Sequence, residues 1–195
     1  MADTPTLRER ARRAARAEIA ATAIRLFAEN GFEATTVDQI VAAVGISRRS
    51  FFHYFGSKED LVLGDVDALG ESVRAALESR PEEESAWEAM RAALLVLRQV
   101  GGDPAEQLTL AGLHHEAPSL RARHLEKHLR WRALLAPEVQ RRLGLPASPE
   151  PDPRAEAFVA AALACVDVAV DAWYRSGGKD DPERLFDEAV AALRG

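Results

Sequence analysis

The stretch from Thr36 to Lys58, TVDQIVAAVGISRRSFFHYFGSK, decides how the rest of the chain is read. Thr36-Val37-Asp38-Gln39 has the form of a capping box, in which the threonine hydroxyl bonds forward to a free backbone N–H and Gln39 reaches back. The helix it opens places Val37, Ile40, Val41 and Val44 on one face and stops at Gly45, where positive φ carries no Cβ clash. Ser47 caps a second short helix, Arg48 to about Tyr54. Two short helices across a tight glycine turn make a helix-turn-helix, with Ile46 plugging the space between them. Ser47, Arg48, Arg49 and Ser50 project from the first turn of the second helix, the end that enters the major groove in such motifs. Arginine pairs bidentately with guanine O6 and N7, and serine bonds to bases or phosphates. Thr36, Ser57 and Lys58 stand where backbone N–H groups and a positive helix end hold phosphates. The implied partner is double-stranded DNA.

Upstream, a helix is expected from Leu7 to Asn30, with Ile19, Ala23, Leu26 and Phe27 on one face and Asn30-Gly31 as a left-handed stop. Its first turns carry Arg8, Arg10, Arg12, Arg13 and Arg16 with almost no apolar face, so residues 1–15 read as a frayed basic arm. Downstream, Gly56-Ser57 breaks the chain, and Ser57 with Asp60 caps one longer helix reaching about Ser79. After the acidic Glu82-Glu83-Glu84 run, a helix from Ser85 to Val100 ends at Gly101-Gly102. Asp103-Pro104, Asp152-Pro153 and Asp181-Pro182 each set a capping acceptor before a proline at the first helical position. Pro118 opens a further helix that Pro137 should end or kink, and Leu145–Pro151 is a loop. The Ala/Val-rich helix Pro153–Ser176 stops at Gly177-Gly178, before a last one at Pro182–Leu193. No segment alternates like a strand. The reading is all-α: a DNA-binding helix-turn-helix domain over 1–58 and a helical bundle over 59–195.

Charge supports that division. The 195 residues carry −6 overall, yet residues 1–58 hold nine Lys/Arg against six Asp/Glu and the remainder is net −9. A basic head on an acidic body suits a protein whose head alone meets a polyanion. No apolar run approaches the about 20 residues that cross a bilayer, so no membrane partner is expected. The Arg-rich beginning lacks the apolar core of a secretory signal, and the single cysteine, Cys165, fits a reducing compartment. The expected location is the cytoplasm.

The segment from about Ile19 to Leu61 resembles the DNA-binding domain of the TetR family of transcriptional repressors. The shared phrases are Leu26-Phe27-Ala28-Glu29-Asn30-Gly31-Phe32, Thr35-Thr36-Val37, Gly45-Ile46-Ser47-Arg48 through Phe55, and Ser57-Lys58-Glu59-Asp60-Leu61. The resemblance implies that Arg48, Arg49 and Ser50 read bases and that Thr36, Tyr54 and Lys58 touch phosphates, with His53 also counted among the DNA contacts. Phe52 stands where the family most often has tyrosine, so it packs on sugar without a phosphate hydrogen bond. Phe51 and Phe55 read as core. The resemblance further implies a homodimer whose interface lies on the last two helices, with Ala157, Ala161, Ala164 and Val168 allowing close approach. Two heads on a twofold axis read a palindromic operator with half-sites about one helical turn apart. Glu116 to Arg123, Trp131 and Arg141-Arg142-Leu143-Gly144 resemble a C-terminal subgroup associated with acyl-CoA-like ligands and mycofactocin-system regulators. That implies an apolar tunnel for a small-molecule effector, with Trp87, Leu94, Leu97, Leu110, Leu113, His114 and Trp131 as lining. Arg121, Arg123 or Arg130 would meet an anionic head group.

His124 and His128 stand at i, i+4, a spacing that can share zinc, but a tetrahedral site needs further ligands and HLEKH is not an HExxH helix. They read as a solvated face, with no metal and no cofactor. No glycine-rich phosphate loop, nucleophile elbow or catalytic carboxylate pair appears, so the chain does not read as an enzyme. The resulting expectation is a repressor released from a palindromic operator by an effector. Two other readings remain: an effector-independent activator or architectural DNA binder, and a helical enzyme or carrier with a vestigial head.

Overall fold

The computed structural model describes residues 6–100 and 104–194, and all regular structure among them is helical. The head comprises α1 (Leu7–Asn30), α2 (Val37–Val44), α3 (Arg48–Tyr54) and α4 (Asp60–Leu63). The body comprises α5 (Val66–Glu78), α6 (Ala86–Leu94) with a 3-10 continuation (Leu95–Val100), α7 (Pro104–Glu116), α8 (Pro118–Arg142), α9 (Pro153–Arg175) and α10 (Pro182–Arg194). No helix among the described residues is long and apolar enough to cross a membrane.

The head is organised by local polar caps. Thr36 Oγ1 accepts from the Gln39 N–H at 3.2 Å while the Thr36 N–H donates to Gln39 Oε1 at 2.7 Å. Gly45 ends α2 at φ 79°, and the Ser47 hydroxyl accepts from the Ser50 N–H at 3.0 Å to start α3. With the turns so fixed, Ile19, Ala23, Phe27, Ile40, Phe51 and Phe55 bury into one small core, and Ile46 packs against it. That core does not close at residue 58. Leu61 joins it from α4, and Leu113, Ala117 and Leu120 join it from the α7–α8 corner. The expected boundary at 58/59 divides the chain but not the packing.

Three expectations are corrected and one is narrowed. The helix from Ser57 is broken: Gly64 takes φ 75°, ψ −165°, and Asp65 starts α5 anew by accepting from the Ala68 N–H at 3.1 Å. The Ser57–Asp60 box still forms, with Asp60 Oδ2 accepting from the Ser57 N–H at 3.1 Å and Ser57 Oγ accepting from the Asp60 N–H at 3.3 Å. Of the two outcomes expected at Pro137, an end to the helix does not occur: it lies inside α8, where its ring and Ala133, one turn back, are both exposed and water can satisfy the freed carbonyl. The helix from Ser85 tightens to 3-10 geometry at Leu95. The basic arm is helical from Leu7, and Arg16 is an anchor: its guanidinium donates to the Tyr54 carbonyl oxygen and lies 4.6 Å over the Phe55 ring. Residues 1–5 of that arm, Gly101-Gly102 and Asp103 lie outside the described residues.

The body packs α8, α9 and α10 side by side, with α5 and α6 over them. Trp131, 2% exposed, sits at its centre and donates its indole N–H to the Val66 carbonyl at 2.9 Å. A Cβ on Gly70 would lie 2.7 Å from that indole nitrogen, so only glycine lets α5 and α8 approach this closely. Arg142, with a nearly buried side chain, donates to the carbonyls of Leu77 (3.0 Å), Arg80 (2.8 Å) and Pro81 (2.9 Å), satisfying the orphan end of α5. Glu138 balances its charge at 2.8 Å.

Candidate nucleic-acid interface and effector cavity

The face that α3 presents is built from its own first turn. Arg48 and Arg49 are exposed, while Ser47 and Ser50 share a 2.9 Å hydroxyl contact beside them. Arg48 is held by Asp38 of α2 through both carboxylate oxygens, at 2.8 and 2.9 Å. Such an exposed pair contributes little stability, but it sets where the guanidinium points through one nitrogen, Nη1. Arg49 makes no such pair among the described contacts and is exposed. Phe52 is 48% exposed, backed edge-on by Phe51 with ring centroids 5.2 Å apart, and Arg48 lies 5.9 Å from its centroid. It forms an apolar shelf flanking the arginines. His53 is exposed against the edge of half-buried Tyr54.

Two expected phosphate contacts have other work. Lys58 Nζ donates to the carbonyls of Phe32 (2.7 Å) and Thr35 (3.0 Å) and lies 4.2 Å over the Phe32 ring. It ties the start of α4 to the α1–α2 turn, leaving one of three ammonium protons for a phosphate. The Thr36 hydroxyl is engaged in its capping box. The residues brought together on one surface are therefore Ser47, Arg48, Arg49, Ser50, Phe52 and His53.

In the body, a cavity of about 510 Å³ opens between α6, α7, α9 and α10. Leu94, Leu97 and Leu110 line it as expected, joined by Leu95, Val166, Trp173 and Phe186. Trp87, Leu113, His114, Arg121 and Trp131 lie elsewhere. Trp87 stacks on Phe158 at 4.2 Å, Leu113 belongs to the head core, and Trp131 to the body core. Arg121 is exposed and donates to the His115 carbonyl at 2.6 Å. The cation at the cavity is Arg91, which sequence reading missed. It donates to Asp187 at 2.6 and 2.9 Å, and that hydrogen bond keeps it firmly charged. Its only advance signal was its place one turn before Leu94-Leu95 on the same helix.

His124 and His128 do not lie on a solvated face, their side chains being 15% and 19% exposed and turned toward Asp167 of α9. Burial pushes His114 and His128 down to about 4, and Lys127 to about 8. Burial alone would raise the Asp167 carboxyl, but the His124 hydrogen bond and the neighbouring positive groups bring it below its ordinary value.

On the four-residue stripe proposed for pairing, Ala157, Ala164 and Val168 are exposed and Ala161 is half-buried. Val168 is 55% exposed, and Leu125 and Leu129 of α8, which sequence reading did not single out, are 64% and 57% exposed. Leu125 and Leu129 follow His124 and His128, and Val168 follows Asp167, so these apolar side chains border one α8–α9 seam.

A helix-turn-helix packed on a small core and offering exposed arginines from the first turn of its second helix, on an all-helical body, is the arrangement of a DNA-binding transcriptional regulator. Comparison with known proteins agrees. Residues 19–64 match the family described as bacterial regulatory proteins, tetR family, and residues 84–195 match the MftR C-terminal domain. The HTH-type transcriptional regulator TcmR of Streptomyces glaucescens is 33% identical over 97% of this chain and 87% of its own. The putative mycofactocin biosynthesis transcriptional regulator MftR of Mycobacterium tuberculosis is 32% identical over 65% of this chain and 64% of its own. The Thermus thermophilus FadR structure, a TetR-family repressor with lauroyl-CoA, superposes with TM-score 0.55 at 23% identity over 91% of this chain and 92% of that one. The chain belongs to the TetR family of transcriptional regulators.

Proposed function

We propose that the protein is a homodimeric repressor that binds a palindromic operator through paired α3 helices and is released by a largely apolar small molecule held in the 510 Å³ cavity. One observation carries the release step. Leu110 of α7 lines the cavity and also packs against the head core, to which Leu113 and Ala117 belong. A ligand pressing on Leu110 therefore acts on the same helix that completes the head. Favouring the shifted α7 by a few kcal/mol would move the two heads out of register with successive grooves.

The cavity lies within the usual range for small-molecule sites, and its aliphatic and aromatic lining suits a hydrophobic ligand, with Arg91 at its edge already paired with Asp187 and Glu183. FadR's own ligand is lauroyl-CoA; its likeness to this chain is one of fold, and the effector class here rests on the lining. The stripe of exposed Ala157, Ala164 and Val168 with half-buried Ala161 supports pairing through α9, since small side chains let helices approach closely. Replacing Val168 by Glu should weaken the dimer at least tenfold in sedimentation equilibrium; an unchanged dimer would move the interface elsewhere.

The release step is tested by fluorescence anisotropy on the protein's own selected duplex, with fatty acyl compounds of graded length as probes. The expected result is release by the longer chains and loss of that response in Leu97→Arg, a cavity-lining position outside the head core, with DNA binding retained. DNA affinity independent of every probe, with the cavity shown by bound-state spectra to be filled, would contradict effector control.

A further inference from the structure

We propose that His124, His128 and Asp167 form a binding site for one divalent transition-metal ion of the zinc class where α7, α8 and α9 meet, with the adjacent His114 ring able to swing in as a fourth donor. His124 and His128 stand one turn apart on α8, and Asp167 faces them from α9. His124 Nε2 lies 2.8 Å from Asp167 Oδ1 and His128 Nδ1 lies 3.5 Å from Oδ2. One donor atom from each of the three residues lies within 4.8 Å of the others. Bonds of about 2.0–2.1 Å in tetrahedral geometry place neighbouring donors about 3.3 Å apart, so the longest gap needs to shrink by about 1.5 Å, within the reach of side-chain torsions.

His114 supplies what the α8 pair lacks. Its ring centroid is 4.4 Å from that of His124, which is 4.3 Å from that of His128, so the three imidazoles form a row across two helices. His114 Nε2 is buried and makes no hydrogen bond among the described residues. Buried polar atoms are nearly always partnered, and a coordinated cation would give this nitrogen a reason to stay dry. Imidazole with one carboxylate suits zinc, nickel, cobalt or copper rather than magnesium or calcium. The neighbouring Lys127 ammonium sits 4.9 Å over the Trp131 ring, within electrostatic reach of Asp167, and burial brings it down to about 8, which eases the approach of a second cation. Asp167 keeps 35% of its side chain in solvent, which provides an entry path and room for a water ligand. An ion bound here would tie α7 to the α8–α9 pair, and α7 carries Leu113 into the head core.

The test is a titration of the full, untagged, metal-free chain with Zn²⁺ and with Co²⁺ against a chromogenic chelator. Expected are one ion per chain, visible Co²⁺ bands of a low-coordinate site, and weakening of on the order of 10–100-fold in His128→Gln and in Asp167→Asn. His115→Gln, an exposed neighbour beside Tyr174, should bind as the parent does. Imidazole NMR of the unaltered chain removes any dependence on variant folding: zinc should move the resonances of His114, His124 and His128 and leave those of His53 and His115. Failure to bind at micromolar zinc, equal binding by the His128→Gln/Asp167→Asn double variant, or shifts at His53 and His115 instead, would overturn the site. None of these readouts involves DNA or an organic effector.

Discussion

The head and the body of this protein are held together in different ways. In the head, short helices are started and stopped by side chains one turn away, as with Thr36 and Gln39 or Ser47 and Ser50, and the core behind them is small. In the body, long helices are fixed by contacts far apart in sequence. Trp131 reaches the Val66 carbonyl, Arg142 caps the end of α5, and Arg91 meets Asp187. The difference matters for function. Local caps fix the reading turn within the head, while body residues complete the core behind it, so a change in α7 would act on the head as a unit. The α7–α8 corner, where Leu113, Ala117 and Leu120 enter the head core, joins the two, together with Leu63 of α4, which packs against both cores.

Separating the two modes by mutation sharpens the contrast. The largest effect belongs to Trp131→Ala, which removes a buried ring and orphans the Val66 carbonyl. It should lower stability by about 3–5 kcal/mol in urea unfolding, while any protein still folded reads the same operator. A loss under 1 kcal/mol would show that the body is not organised around this residue. Arg49→Ala reverses the pattern: operator affinity should fall by about 1–3 kcal/mol with unfolding midpoints unmoved. Equal weakening on operator and random duplex would instead make Arg49 a phosphate contact.

Much of the head was legible because caps and glycine turns act over three or four residues, a distance the sequence displays directly. The buried positions of Phe51 and Phe55 follow from the same short-range pattern. Lys58 was harder, since the carbonyls it binds, of Phe32 and Thr35, lie across a turn and give no sign in the local sequence. The break at Gly64-Asp65 was visible as a glycine before a capping acceptor, yet the longer apolar pattern on either side of it outweighed that signal. In the body, Trp131 and Arg142 belong to a subgroup motif read as ligand chemistry. Folded, they are scaffold, and the cavity draws its cation from Arg91. Motifs mark what a fold needs kept, and packing needs can resemble binding needs until the helices are assembled.

Two smaller effects probe the head alone. Thr36→Ala breaks the box that starts α2 and should cost about 1 kcal/mol of stability, measured by hydrogen exchange in α2 and α3 before it shows globally. Protection lost first in α9 would mean that the head is not a separate unit of opening. Asp38→Asn frees Arg48 from its exposed partner and should raise DNA affinity only a few-fold, in line with the about 0.2–1 kcal/mol of such pairs. An affinity decrease would assign Asp38 a direct part in recognition.

The central claim is that α3 reads duplex DNA as one half of a symmetric pair. Selection of bound sites from a random duplex library by the full-length protein, at moderate salt, tests it most directly. The account predicts enrichment of a palindrome that binds one dimer and whose preference collapses in Arg49→Ala. Enrichment of no sequence, or of an asymmetric site bound by a single chain, would contradict it.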